Sequence, residues 1–411
     1  MVRLDRRDEG GFFVSIVEAL GPARQAERLL GRKQARLVEA ENTIRVDAIE
    51  NVLGEMRRAR QHDPPVGFRD FGANNSMFSR ALCLSDGAPF EESLNEIGGE
   101  DSLLLERLTM RGLRFAWAAR AIKAIDPTAQ VFGPSSWGAT EMVNFQNAPD
   151  WRAHARYGSF LALYLDAFRK ASEQDGKHLL DTLDVHWYPF TSRGKLFRTD
   201  AEALDVIRLD APRSLTESGF VEDSWVARAL SSAAADRLGL PILPSLRRII
   251  ARRFPGTKLS ISEFNYGLGK RIPSALALAD ALGCYATGGV YLATHWGSLA
   301  DLLSESYRLY RAPDVLGGGF SGHTVSIRQS AADTLSAFAA DDGSALRLVL
   351  INRAPREIAV EFGAPRRRFR QTHGFEADRS TFGERTETPR ENDGAVRFAL
   401  PAYSARRYLF V

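Results

Sequence analysis

The chain has 411 residues, of which 44% are hydrophobic and 26% charged, and its formal net charge is +3. That balance suits a globular protein with a sizeable core, and it excludes a disordered tail, a collagen-like chain and a small disulfide scaffold. The charge is too close to neutral for a long nucleic-acid footprint, and the basic runs at 57–60 and 366–368 are short enough to read as solvated surface.

In chain order, residues 12–17 predict a strand, 48–60 a short amphipathic helix, and 81–84 an apolar run closed by the turn-like Ser85-Asp86-Gly87-Ala88-Pro89. From about 102 the pattern alternates. Leu104, Leu108, Phe115, Ala119 and Ile122 recur at helical spacing up to the stop Asp126-Pro127. Residues 131–132 predict a strand cut off by Gly133-Pro134, and Tyr157, Leu161, Tyr164 and Phe168 one face of a helix ending at Asp175-Gly176. Strands at 180–187, 258–262 and 290–293 then alternate with helices at 241–254 and 274–286. Such alternation predicts βαβ units on a parallel sheet. A polar insertion at about 190–238 interrupts one unit, as barrel loops do. After Gly317-Gly318-Gly319 come short alternating runs at 324–327, 346–350, 358–362, 396–398 and 408–410, with turns at Asp342-Gly343 and Asn392-Asp393-Gly394. These predict a small antiparallel β-sandwich. The expected division is a barrel over 1–315 and a sandwich over 316–411.

The unusual residues sit where strands end, and that rim is where a barrel places its chemistry. One strand runs into Ser262-Glu263-Phe264-Asn265-Tyr266-Gly267, a carboxylate among rings and an amide. Another closes in Asp184-Val185-His186-Trp187-Tyr188-Pro189. Residues 131–138, ending in Trp137-Gly138, and Ala293-Thr294-His295-Trp296-Gly297 repeat the theme. Aromatic faces stack on pyranose rings while amides and hydroxyls bond their hydroxyl groups. Four strand ends with Trp or Tyr in register therefore predict a carbohydrate groove. No Ser-His-Asp order, phosphate loop or His-Glu-x-x-His helix competes. Only two cysteines occur, Cys83 and Cys284, with no Cys-x-x-Cys metal spacing. There is no run of about 18 apolar residues, and residues 1–11 are charged where a signal peptide is apolar. We expect no membrane span, no nucleic-acid partner and no readable export signal.

Taken together and in this order, the stretches 121–129, 131–138, 147–151, 176–189, 211–215, 255–259 and 263–267 resemble the family 44 glycoside hydrolases, which are endo-acting β-1,4-glucanases and xyloglucanases. The resemblance spans about 102–411. It implies an α/β fold, a (β/α)8 TIM-type barrel with a carboxyl-terminal β-sandwich. Four βα units need about 125 residues at barrel spacing. Only about 100 precede Leu104, so the amino-terminal half is expected to be compressed or incomplete, with 1–100 divergent.

The resemblance further implies retaining hydrolysis of cellulose-like chains or xyloglucan. Glu263 is the nucleophile, and the acid/base carboxyl comes from an Asn-Glu-Pro motif about 5 Å away. Two registers place that motif. Ser85 to Pro89 puts Ala88 where Glu belongs, whereas Leu94-Asn95-Glu96-Ile97 keeps Asn-Glu without Pro and makes Glu96 the acid/base. The Ala88 register leads to an alternative function, a glucan-binding barrel that has lost cleavage. Trp137, His186, Trp187, Tyr188, Asn265, Tyr266 and Trp296 are the expected substrate-binding residues, with His186 orienting a carboxylate or a sugar hydroxyl. No cofactor is required; family members can bind a structural calcium ion, but no metal ligand is assigned in this chain. A β-glucan polysaccharide is the expected partner and a monomer the expected state. Relatives are usually secreted, and the compartment of this chain is left open.

Overall fold

The computed structural model describes residues 13–16, 118–148, 151–230, 237–311, 319–328, 333–363, 367–386, 389–392 and 395–411. Glu96, Ala88, Cys83 and the expected compression of the amino-terminal half all lie outside these residues. A parallel sheet contains β1 (Phe13–Ile16), β2 (Phe132–Ser136) and β3 (Thr182–Trp187). After a hairpin of β4 (Phe190–Thr191) and β5 (Gly194–Lys195) it continues with β6 (Lys258–Phe264) and β7 (Leu292–His295). The order is β1-β7-β6-β3-β2. The first strand therefore pairs with the last, Phe13 opposite Leu292, as the closure of an α/β barrel requires.

The helices are α1 (Ala118–Ile125), α2 (Ala139–Asn144), α3 (Trp151–His154), α4 (Phe160–Asp175), α5 (Asp205–Asp210), α6 (Arg213–Thr216), α7 (Trp225–Ala229), α8 (Ile242–Arg253), α9 (Ile272–Thr287) and α10 (Leu303–Arg311). α4 starts later than the apolar spacing from Tyr157 predicts. Its start is fixed by Ser159, whose side chain accepts the Ala162 N–H, and its end by Gly176 at φ 63°. β2 also differs from expectation, running through Gly133-Pro134 to Ser136 instead of stopping there. A Cβ on Gly133 would stand 2.5 Å from the Tyr164 hydroxyl. That glycine marks the close approach of α4 to the strand, not a turn.

The carboxyl-terminal strands are β8 (His323–Val325), β9 (Leu335–Asp341), β10 (Leu346–Asn352), β11 (Ile358–Gly363), β12 (Phe369–Glu376), β13 (Arg379–Arg385), β14 (Arg390–Asn392), β15 (Ala395–Leu400) and β16 (Ser404–Phe410). They form a six-stranded antiparallel sheet, β13-β12-β16-β10-β9-β8, and a three-stranded one, β11-β15-β14. Period-two alternation explains how they stack. In β10, Leu346, Leu348 and Leu350 enter the core between the two sheets. Val349 and Ile351, on the opposite face, join the barrel core.

That second contact falls largely on α9, which is buried from Pro273 to Tyr285. A helix apolar all round needs cover on every side, and here α5, α10 and the sandwich strands β9, β10 and β16 supply it. Asp280 on α9 accepts a hydrogen bond from Ser336 Oγ (2.8 Å) and pairs with Arg353 (3.4 Å). Burial raises the Asp280 carboxyl above the usual carboxylate range, and the Arg353 charge opposes that shift. Gly283 sits where a Cβ would come 2.3 Å from the Phe338 ring. Replacing a helical glycine by alanine usually stabilises by about 1 kcal/mol. Overpacking costs about 1–3 kcal/mol and should win at this position, so Gly283→Ala is expected to lower the melting temperature. A rise would show that Phe338 has room to move.

Candidate active site

The carboxyl ends of β2, β3, β6 and β7 line a groove of about 440 Å³. Local pairing irregularities cluster at that end. Asp184 stands opposite Ser260 and Val185 opposite Ile261, but His186 stands opposite Glu263, so Ser262 is an extra residue in β6. Asp184 holds this bulge. It is fully buried and accepts from Ser260 Oγ, Ser262 Oγ and the Ser262 N–H (3.1 Å). Bulges next to functional sites re-aim side chains, and this one sets Glu263 beside the end of β3.

Glu263 receives two groups from β3 and the residue following it. Tyr188 donates its hydroxyl to Glu263 Oε2 at 3.0 Å, and His186 Nδ1 lies 3.1 Å from the same oxygen. Both contacts fall on Oε2; among the described residues Oε1 has no hydrogen-bond partner. The Tyr188 phenol is pushed above its ordinary range, first by burial and then by the Glu263 charge it faces. It therefore remains a proton donor to that carboxylate at any working pH. Among the described residues Glu263 is the only carboxylate lining the groove.

The flanking strands carry exposed indoles. Trp137 follows β2 and is 58% exposed; Trp296 follows β7 and is 57% exposed. Their backbones are fixed: Trp137 N–H donates to the buried Glu141 (2.9 Å), and Trp296 N–H to Phe264 O (3.0 Å). Trp187 also lines the groove but is buried. Asn265 lines the groove as well, but its amide is already engaged. Nδ2 donates to Trp296 O (2.9 Å), and Oδ1 accepts from Gly267 N–H (2.7 Å).

Tyr266 is a correction to the sequence reading. It is fully buried and absent from the groove wall, because period-two alternation sends it with Phe264 toward the helical layer. Sequence reasoning also missed part of the wall. Phe190, Lys195, Phe197, Arg198 and Trp225 come from the insertion after β3. Phe197 packs on Tyr188 with ring centroids 4.5 Å apart, and Trp225 stands edge-on to Phe190 at 5.5 Å. The rings inside an otherwise polar insertion were the available signal. Among the described residues, no group of three or more His, Cys, Asp or Glu is arranged to hold a metal ion, and no helix is long and apolar enough to cross a membrane.

Residues 111–191 match the family model of glycoside hydrolase family 44. The chain is 33% identical over 301 residues to endoglucanase A of Paenibacillus lautus, covering 70% of this chain and 42% of that protein. It thus spans less than half the length of that relative. Among solved structures, a family 44 endoglucanase from Clostridium thermocellum superposes with a TM-score of 0.66 at 33% identity, covering 72% of this chain and 60% of the other. A family 44 xyloglucanase from Paenibacillus polymyxa gives 0.66 at 31% identity, covering 72% and 59%.

His295, at the end of β7, is buried behind the groove, edge-on to Phe264 at 5.6 Å and to Tyr307 at 6.4 Å. Burial lowers its imidazole to about 4. An unfolded chain binds this proton at about pH 6.5, so between those values the unfolded state holds more protons and stability falls as pH drops. The His295 contribution is complete above about pH 6.5 and is lost as pH falls toward 4. His295→Phe should flatten that part of the profile, read as denaturant midpoints across the interval. An unchanged slope would mean that other groups carry it.

Proposed function

Because the chain belongs to glycoside hydrolase family 44, we propose that it is a retaining endo-acting hydrolase of β-1,4-glucan, taking cellulose-like chains or xyloglucan. The observation that carries this reading is the setting of Glu263. Its Oε2 is held by Tyr188 and His186 while Oε1 has no partner among the described residues, at the centre of a ring-lined groove. A carboxylate fixed through one oxygen can present the other to an anomeric carbon without reorganising.

In this reading Oε1 attacks the anomeric carbon as the glycosidic oxygen takes a proton from the acid. The product is a glycosyl ester of Glu263, which water then cleaves with overall retention. The Tyr188 hydroxyl fixes the orientation of the nucleophile by donating to Oε2. Glu96 supplies the acid. Trp137 and Trp296 flank the reacting centre as stacking faces for successive glucosyl units, and the rings from the insertion form a side wall. The relatives are named as an endoglucanase and a xyloglucanase, and polymeric glucans are long enough to engage both indoles at once.

Glu263→Gln should abolish turnover of soluble xyloglucan and β-glucan while leaving the melting temperature nearly unchanged; retained turnover removes the nucleophile assignment. An activated aryl β-cellobioside separates the two registers of the acid, since its leaving group needs little protonation. Cleavage of that compound with glucan left intact would identify the Ala88 form, in which the barrel binds without cutting polymer. Trp137→Ala and Trp296→Ala are each expected to raise KM on soluble xyloglucan about fivefold with kcat held, the signature of lost stacking. A fall in kcat alone would show that the indoles act on the transition state.

A further inference from the structure

We propose that Arg208 and Asp200 form a clasp that positions the aromatic side wall of the groove against the Glu263 carboxylate; the proposal rests on the reading of Glu263 as nucleophile. Arg208, on α5, is fully buried. Its guanidinium donates to Leu196 O (2.6 Å) and Tyr266 O (2.8 Å) through Nη1, and to Thr199 O through Nη2. Leu196 and Thr199 belong to the insertion, whereas Tyr266 lies just beyond the end of β6, three residues after Glu263. One cation therefore joins the two segments that meet at the groove.

A buried cation needs a nearby countercharge as well as acceptors. Asp200 lies 3.9 Å from Nη2. Asp205 adds attraction, while Arg271, paired with Asp205 at 2.6 Å, opposes it. Asp200 also accepts from Leu268 N–H (2.9 Å), Lys270 N–H (2.7 Å) and Ser274 Oγ (2.6 Å). The insertion is thereby bound a second time to the loop after β6. Gly267, at φ +149°, leaves the guanidinium its room: a Cβ there would stand 2.9 Å from Arg208 Nη1 and 2.5 Å from Ser274 Oγ.

Between the two clasped carbonyls of the insertion lie Phe197 and Arg198, both in the groove wall. Phe197 packs on Tyr188, and Tyr188 donates to Glu263. Arg208 does not itself line the groove. It is a positioning residue that acts through Phe197 and Tyr188. Lysine cannot replace it, because a compact ammonium cannot span three carbonyls from two segments as the planar fork does.

Arg208→Lys tests this by two independent readouts taken well below its melting temperature. Trypsin should cut after Lys195 and Arg198 about tenfold faster than in the parent chain, because the wall segment loses its tether. The kcat for an activated aryl β-cellobioside should fall severalfold with KM held, since a displaced Tyr188 no longer fixes Oε2 of Glu263. Tyr188→Phe should lower kcat in the same way, and the double variant should lower it no further. Should Arg208→Lys fail to fold, Gly267→Ala crowds the same guanidinium and is read in the same way. Unchanged proteolysis, or losses of kcat that simply multiply, would overturn the clasp. A parent chain without any turnover would overturn the reading of Glu263 instead, with the trypsin rates still deciding whether the wall is tethered.

Discussion

A carboxylate buried in the middle of a parallel sheet has to be hydrogen-bonded, because an unpaired buried charge costs far more than a typical hydrogen bond returns. Asp184 is in that position, and its acceptors are filled by Ser260 and Ser262 of the neighbouring strand. The demand falls on one residue pairing, and that pairing admits Ser262 as an extra residue. Register in a sheet is all or none with respect to faces. A slip by one position would turn Glu263 away and bring Phe264 to the groove. The placement of Glu263 is therefore set beneath the groove, by a buried group that does not line it.

Above that foundation, different elements do different work. The central strands β3 and β6 bring together the ionisable groups, His186, Tyr188 and Glu263. Their outer neighbours β2 and β7 each hand off to an exposed indole, Trp137 on one side and Trp296 on the other. Ionisable groups thus occupy the centre of the arc, and an exposed indole lies to either side. Among the described residues, the insertion after β3 contributes no carboxylate to the groove wall, only the cations Lys195 and Arg198 beside its rings. It contributes shape, through Phe190, Phe197 and Trp225.

Much of this was legible in the chain. Fully buried parallel strands read as short apolar runs between breakers, so β3, β6 and β7 could be placed, and a polar residue at the end of such a run stands out. The same logic could have excluded Tyr266, since alternation gives Glu263 and Asn265 one face and Phe264 and Tyr266 the other. What resisted reading is irregular or long-range. The bulge at Ser262 leaves no mark in local composition. β12 and β13 are rich in Arg, Thr and Gly and lack an alternating apolar stripe, because the partners that bury them are far away in sequence. Arg208 looks like an ordinary helical surface arginine until the insertion folds over it.

The way α9 is covered has a consequence for how the molecule holds together. Its buried length is closed on one side by the helices α5 and α10 and on another by β9, β10 and β16, with Tyr285 reaching Phe264 of β6. The six-stranded sheet, in turn, is wrapped on both faces. The carboxyl-terminal strands are thus unlike an accessory module on a tether, which can be trimmed or exchanged without disturbing its host. They form the outer half of a shared interior, and severing the chain after α10 would strip a greasy helix bare in the half that carries Glu263.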